Sequence, residues 1–208
     1  VTALHRGVTQ VVVAAAGYDG RAWRYSKPGV RWFEVDHPDT QADKQRRLRR
    51  LGIATDQVTF VSADFTIDPI GPRLAAAGID PTKRSLMLCE GVASYLDLPV
   101  LNALLQGLAE VAARRSRLAI SLSIDTGSGG LAERRARFQA RVAALGEPVR
   151  TILTADGAQS LLVGAGWRPV SALPGPGPSS PGSCLWRHSL ARCNRSSGPT
   201  LCQPSCPR

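Results

Sequence analysis

Acidic side chains recur in this chain at one kind of place, just past an apolar run of strand length. Asp19 stands in Ala14-Ala15-Ala16-Gly17-Tyr18-Asp19-Gly20-Arg21, and Asp36 ends Trp32-Phe33-Glu34-Val35-Asp36. Asp64 stands in Val61-Ser62-Ala63-Asp64-Phe65, and Glu90 in Cys89-Glu90-Gly91-Val92. A glycine such as Gly17 at a strand-to-helix turn lets the backbone approach a bound nucleotide, and the acid after it accepts hydrogen bonds from a ligand amine or hydroxyl. Taken alone, the same turn reads as a tight connection. Only Gly17 and Gly20 occur there, so the G-x-G-x-x-G fingerprint of dinucleotide sites is not met and a nucleotide-dependent oxidoreductase is disfavoured.

The other acids are more telling. One carboxylate has two oxygens and lone pairs enough for both hydroxyls of a ribose, which is the expected role of Asp36 at the end of the second strand. Glu34 shares that face but lies one step inside the sheet. Asp64 followed by Phe65 suits an adenine, the carboxylate accepting from the exocyclic amine and the ring covering the base; a turn or helix-capping aspartate is the alternative. Glu90 faces the same crevice. Four acids at four strand ends favour a cationic ligand over a phosphate.

Positioning them requires a particular scaffold. Strand-like runs at Gln10 to Ala16, Val30 to Val35, Val58 to Ser62, Ser85 to Cys89 and Leu118 to Ile124 alternate with helical patterns. The helices are expected at Asp39 to Leu51, Arg73 to Ala77, Pro99 to Ala113, Leu131 to Leu145 and Ala155 to Ala165, with a last strand near Trp167 to Ser171. Strict alternation implies a doubly wound, mostly parallel α/β sheet covered on both faces, whose ligands bind at the carboxyl ends of the strands. One domain over residues 1–172 is expected. Residues 173–208, rich in Pro, Gly, Ser, Cys and Arg, bury too little apolar surface to offset ordering entropy and are expected to be disordered.

Composition narrows the function classes. The net charge is +10, but the arginines are scattered over several helical patterns with no interleaved aromatics, so solvated helix faces are expected rather than a nucleic-acid partner. No apolar run reaches membrane-spanning length and no secretory leader pattern opens the sequence, so a cytoplasmic protein is expected. Of the five cysteines, only Cys89 precedes residue 184, and their spacing is not that of a zinc site.

The strings QVVVAAAGYDGRAWRY, WFEVDHPDTQADKQRRL, FVSADF and LCEGVASYL, in this order, resemble the leucine carboxyl methyltransferase family, in its actinobacterial S-adenosylmethionine-dependent branch. The resemblance runs from about Gly7 to Ala172. It implies a class I methyltransferase fold with S-adenosyl-L-methionine as cofactor: Gly17, beside Asp19, near the methionine part, Asp36 on the ribose, Asp64 and Phe65 on the adenine, and Glu90 near the methionine amine. Tyr95 is either an acceptor-pocket residue or core. A carboxylate acceptor needs no general base; for a hydroxyl, His37 is the candidate, although capping of the next helix suits it better. The family usually carries a glycine where Ala15 stands and a threonine-like residue where Gly20 stands. It also has a helical segment before the first strand, so the chain reads as amino-terminally truncated. The alternative to a working enzyme is a catalytically impaired relic that only binds the cofactor. These strings fix neither the acceptor nor the oligomeric state.

Overall fold

Buried parallel strands need side chains that are apolar on both faces, and Gln10–Ala14 (β1) meets that demand with all five residues buried. In the computed structural model, which describes residues 2–5, 7–125, 149–170 and 187–193, β1 pairs in parallel with Arg31–Asp36 (β2) on one side and Ser85–Cys89 (β4) on the other. Val58–Ser62 (β3) extends the sheet beyond β2, and Arg117–Leu122 (β5) extends it beyond β4, both parallel. The chain thus winds outward from β1 first one way and then the other. The reversal between β1 and β4 opens a crevice at their carboxyl ends.

The helices are Thr2–His5 (α1), Arg21–Arg24 (α2), Pro38–Arg50 (α3), Ile70–Ala76 (α4), Leu98–Glu110 (α5) and Ala155–Gly164 (α6). Strand alternation divides the apolar residues between two cores. Val12, Ala14, Phe33, Val35 and Met87 pack with Leu74 of α4, Leu101, Leu104, Leu105 and Leu108 of α5 and Leu162 of α6. Val11, Val13, Trp32 and Leu88 pack on the other face with Ala22 of α2. Helices α4 and α5 meet at Gly71 and Gly107, where a β-carbon on Gly107 would lie 3.0 Å from the Gly71 nitrogen. The short α2 was not among the expected elements, and the expected helix at Leu131 to Leu145 falls outside the described residues.

One expectation is corrected by the sheet itself. Arg187–Cys193, within the segment expected to be disordered, forms a strand (β7) lying antiparallel between β5 and Trp167–Val170 (β6). The full order is β3-β2-β1-β4-β5-β7-β6. Disorder was inferred from side-chain pattern, whereas strand addition draws on backbone groups: β5 and β6 each offer an edge of unpaired N–H and C=O, and residues 187–193 contain no proline or glycine to refuse it. Among the described residues, no helix is long and apolar enough to cross a membrane, and no cluster of His, Cys, Asp and Glu is suited to a metal ion.

Leu190 of β7 is paired with Ala119 and with Val170. Proline there removes a ladder donor inside the sheet, so Leu190→Pro should lower stability by about 1–3 kcal/mol, read as a lower urea midpoint. A midpoint equal to the parent's would mean that this segment contributes nothing to the sheet.

Candidate functional site

Past Ala14 the backbone leaves the sheet through two left-handed residues, Ala15 at φ 54° and Gly17 at φ 46°. Glycine tolerates this region freely, whereas an alanine there carries a penalty of roughly 1–2 kcal/mol. The turn is tied back by the Ala16 amide to the Val35 carbonyl (3.2 Å) and by the Asp19 amide to the Ala16 carbonyl (2.8 Å). Nothing lies within 4 Å of the place where a β-carbon on Gly17 would stand, and the same holds for Gly91 after β4. The two glycines flanking the reversal of strand order therefore face open space.

Asp36 organises this turn. Its Oδ2 accepts the Gly17 amide at 2.5 Å and its Oδ1 accepts the His37 amide at 2.7 Å. Two of its roughly four lone-pair positions are thereby used, leaving two for a ligand's hydroxyls. Asp19 accepts from the Arg21 amide at 2.7 Å and from Arg21 Nε at 2.6 Å. The same guanidinium reaches across to β4, with Nη1 2.6 Å from Glu90 Oε2. Burial pushes the Asp19 carboxyl up, but the hydrogen bonds and charge of Arg21 outweigh it and hold its pKa below the ordinary 3.8. Arg21 is thus a cationic clasp between two acids that the sequence marked as ligand groups.

Beneath the turn lies a second cation. Lys44 Nζ donates to the Asp19 carbonyl at 2.7 Å and sits 2.6 Å from Glu34 Oε2, with both side chains almost wholly buried. Glu34 is indeed one step inside the sheet from Asp36. Burial pushes its carboxyl above the usual range, against the pull of Lys44.

Asp64 stands one strand over. Its Oδ1 accepts from the Thr66 amide and hydroxyl at 2.9 and 2.7 Å, bonds that hold its carboxyl below the ordinary range. The turn role weighed for it is therefore real for that oxygen, while Oδ2 lies 4.0 Å from His37 Nε2. Phe65 is half-buried against the larger core. His37 caps α3, its Nδ1 accepting the Asp39 amide at 3.3 Å. Tyr95 is half-buried in a short 3-10 turn at Ala93–Tyr95. Cys89, adjacent to Glu90, is fully buried and its thiol is pushed up to about 12, which removes it as a nucleophile at neutral pH.

The fold brings Gly17, Asp19, Asp36 and Glu90 into one linked group, with Asp64 and Phe65 on its flank. Sequence reasoning missed Arg21 and Lys44. Arg21 was visible only as the second residue past Asp19, and Lys44 only as part of the string after Asp36.

Comparison with known proteins gives a consistent picture. The family model described as leucine carboxyl methyltransferase matches residues 1–109. A "Putative S-adenosyl-L-methionine-dependent methyltransferase" of Mycobacterium avium is 34% identical over 141 residues, 67% of this chain and 45% of that protein. A similarly named protein of Frankia alni is 36% identical over 134 residues, covering 64% of this chain and 45% of its own length. The chain thus spans a little under half the length of these relatives. Among solved structures, magnesium protoporphyrin IX methyltransferase from Synechocystis with bound SAH superposes with a TM-score of 0.59 at 15% identity, covering 94% of this chain and 78% of that one. An O-methyltransferase family 2 protein from Planctomyces limnophilus, in complex with apigenin, gives 0.61 at 17% identity, covering 90% and 51%. At such identities these likenesses establish the fold: a class I methyltransferase sheet.

Two measurements probe the turn. Ala15→Gly relieves the left-handed alanine and should stabilise the chain by about 0.5–1 kcal/mol in denaturant unfolding, the relief being partly offset by greater freedom of the unfolded chain; a loss of stability would contradict the strain. Arg21→Ala acts through pH. Because Asp19 is depressed in the folded state, its contribution is fully present above 3.8 and is lost as pH falls through the folded value. The stability gap between parent and Arg21→Ala should therefore be largest above pH 4 and narrow as the solution is acidified, as read from urea midpoints across that range.

Proposed function

This chain belongs to the leucine carboxyl methyltransferase family, and from that premise we propose that it binds S-adenosyl-L-methionine in the crevice between β1 and β4. We further propose that the methyl group passes to an oxygen, on a carboxylate or a hydroxyl, of a small-molecule or carboxylate acceptor. The observation that carries this reading is Asp36: a carboxylate with two lone pairs left over, holding a glycine turn that faces open space. The donor set suits the cofactor. A sulfonium with an ammonium group is cationic, and Asp19, Asp36, Asp64 and Glu90 stand at or just past the carboxyl ends of β1 to β4.

When bound, S-adenosyl-L-methionine supplies a methyl group on a sulfonium already activated for in-line displacement. The residues of this chain bind and orient. Asp36 would receive the ribose hydroxyls and Gly17 would lie along the methionine chain. Asp64 Oδ2 and Phe65 would hold the adenine edge and face, and Glu90 would lie near the ammonium. Arg21 screens the repulsion between Asp19 and Glu90 and holds both carboxylates at their stations. Holding donor and acceptor in register then supplies the acceleration through effective concentration.

The geometry of His37 bears on the acceptor. Its Nδ1 is committed to the Asp39 amide, so it serves the start of α3 and is poorly placed to deprotonate a hydroxyl. This favours a carboxylate acceptor, which is already a nucleophile. A second reading is a protein that binds the cofactor without transferring the methyl group; the left-handed Ala15 in the turn favours it.

Calorimetry with S-adenosylhomocysteine tests the assignment. Hydrogen bonds to a charged group contribute about 1.5–3 kcal/mol, so Asp36→Ala should weaken binding roughly tenfold to a hundredfold. Parent-like affinity in that variant would remove the ribose role of Asp36. Binding by the parent without methylation of any carboxylate or hydroxyl acceptor would favour the second reading.

A further inference from the structure

The string that runs on from Asp36 contains two residues whose role the reading above leaves open, Gln41 and Lys44. Both lie on α3 and both are buried. Gln41 joins two strands to the helix: its Nε2 donates to the Glu34 carbonyl at 2.9 Å, and its Oε1 accepts the Ser62 hydroxyl at 2.6 Å. With β2 and β3 fixed to α3 in this way, Lys44, a little under one turn further on, reaches back under the turn after β1. Its ammonium is 2.7 Å from the Asp19 carbonyl, 2.6 Å from Glu34 Oε2 and 5.4 Å from the Trp23 ring centre.

Two features mark this as more than core filling. A buried ion pair costs several kcal/mol in desolvation unless its remaining polar atoms are satisfied, yet Glu34 Oε1 has no hydrogen-bond partner. The Lys44 ammonium spends a second contact on the turn, the bond to the Asp19 carbonyl. The grip also falls at a useful point, since the Asp19 carbonyl follows the very turn whose Gly17 amide is aimed at Asp36.

We propose that Lys44 is a positioning residue for the cofactor turn: its buried ammonium, anchored by Glu34, holds the Asp19 carbonyl and thereby fixes the peptide units that present Gly17 to Asp36 and to the cofactor. Glu34 serves to hold the ammonium in place. The string from Glu34 to Lys44 is then one device, in which the ribose acid, the helix start and the brace under the neighbouring turn come from a single strand-to-helix passage. The inference rests on the reading of the crevice as a cofactor site, but the brace itself has a consequence that needs no ligand.

The test uses the full chain and Glu34→Gln/Lys44→Met, which removes both charges and strands neither. Amide hydrogen exchange without ligand should accelerate roughly tenfold or more at residues 17–20 while β1 and β2 keep parent-like protection. S-adenosylhomocysteine should bind roughly tenfold or more weakly by calorimetry, as displaced alignment elements do. Glu34→Gln alone leaves the ammonium buried without its anchoring charge and should also speed exchange at residues 17–20 and weaken binding; parent-like values of both would remove the anchoring role of Glu34. Unchanged exchange at residues 17–20 in the double variant would overturn the brace whether or not the parent binds the ligand. Accelerated exchange in the double variant together with a parent that binds no S-adenosylhomocysteine would sink the cofactor reading and leave the brace standing. Should the double variant not fold, Glu34→Leu/Lys44→Met, which fills the site with apolar side chains, carries the same expectations.

Discussion

A carboxylate that accepts two backbone amides at once cannot move without releasing one of them, and Asp36 is in that position between Gly17 and His37. One amide belongs to the turn after β1 and the other to the start of α3. The two strands are already in parallel register from Gln10 and Arg31 through Ala14 and Val35. Asp36 carries that register past the end of β1 into a segment with no ladder of its own. The open space before Gly17 and the left-handed Ala15 both follow from where this carboxylate holds the chain.

Concentrating acids at the ends of parallel strands raises an electrostatic difficulty: burial already pushes the Glu34 carboxyl up, and the charges of Asp19 and Asp36 add to that push. The structure answers with two cations of different kinds. Arg21 has a planar fork that spans Asp19 and Glu90 while remaining partly in water. Lys44 is a compact charge sealed below the turn, where only an ammonium on a long apolar stem fits between Glu34 and a carbonyl. The crevice keeps its negative side chains, but their backs are neutralised.

The scaffold was largely legible in the sequence. Runs such as Gln10–Ala14 and Ser85–Cys89 announce buried strands by composition alone, and the acids after them announce strand ends. The periodicity of Leu101, Leu104, Leu105 and Leu108 announced α5, and all four prove fully buried. The site was legible only residue by residue. Asp36 and Glu34 could be placed because strand alternation fixes their faces. Arg21 and Lys44 could not, because an arginine in a polar loop and a lysine among arginines on a helix look like solvated charges until tertiary structure sets them against carboxylates. Strand β7 was hidden for another reason: its place depends on two unpaired edges created elsewhere, which no local pattern records.

That strand also dictates the order in which the protein can be assembled. Among the described residues, strand β6 pairs with β7 and with no other strand of the sheet, and β7 reaches β5 across 64 intervening residues of chain. Residues 10–122 can join their five strands as they leave the ribosome, each new strand docking on one already present. The last two must wait for each other, and loop-closure entropy makes that final closure slow compared with the pairing of near neighbours. During synthesis the molecule therefore passes through a stage in which the five parallel strands and the turn after β1 are in place while the edge of β5 is still bare, and a bare edge is where partly made chains stick to one another.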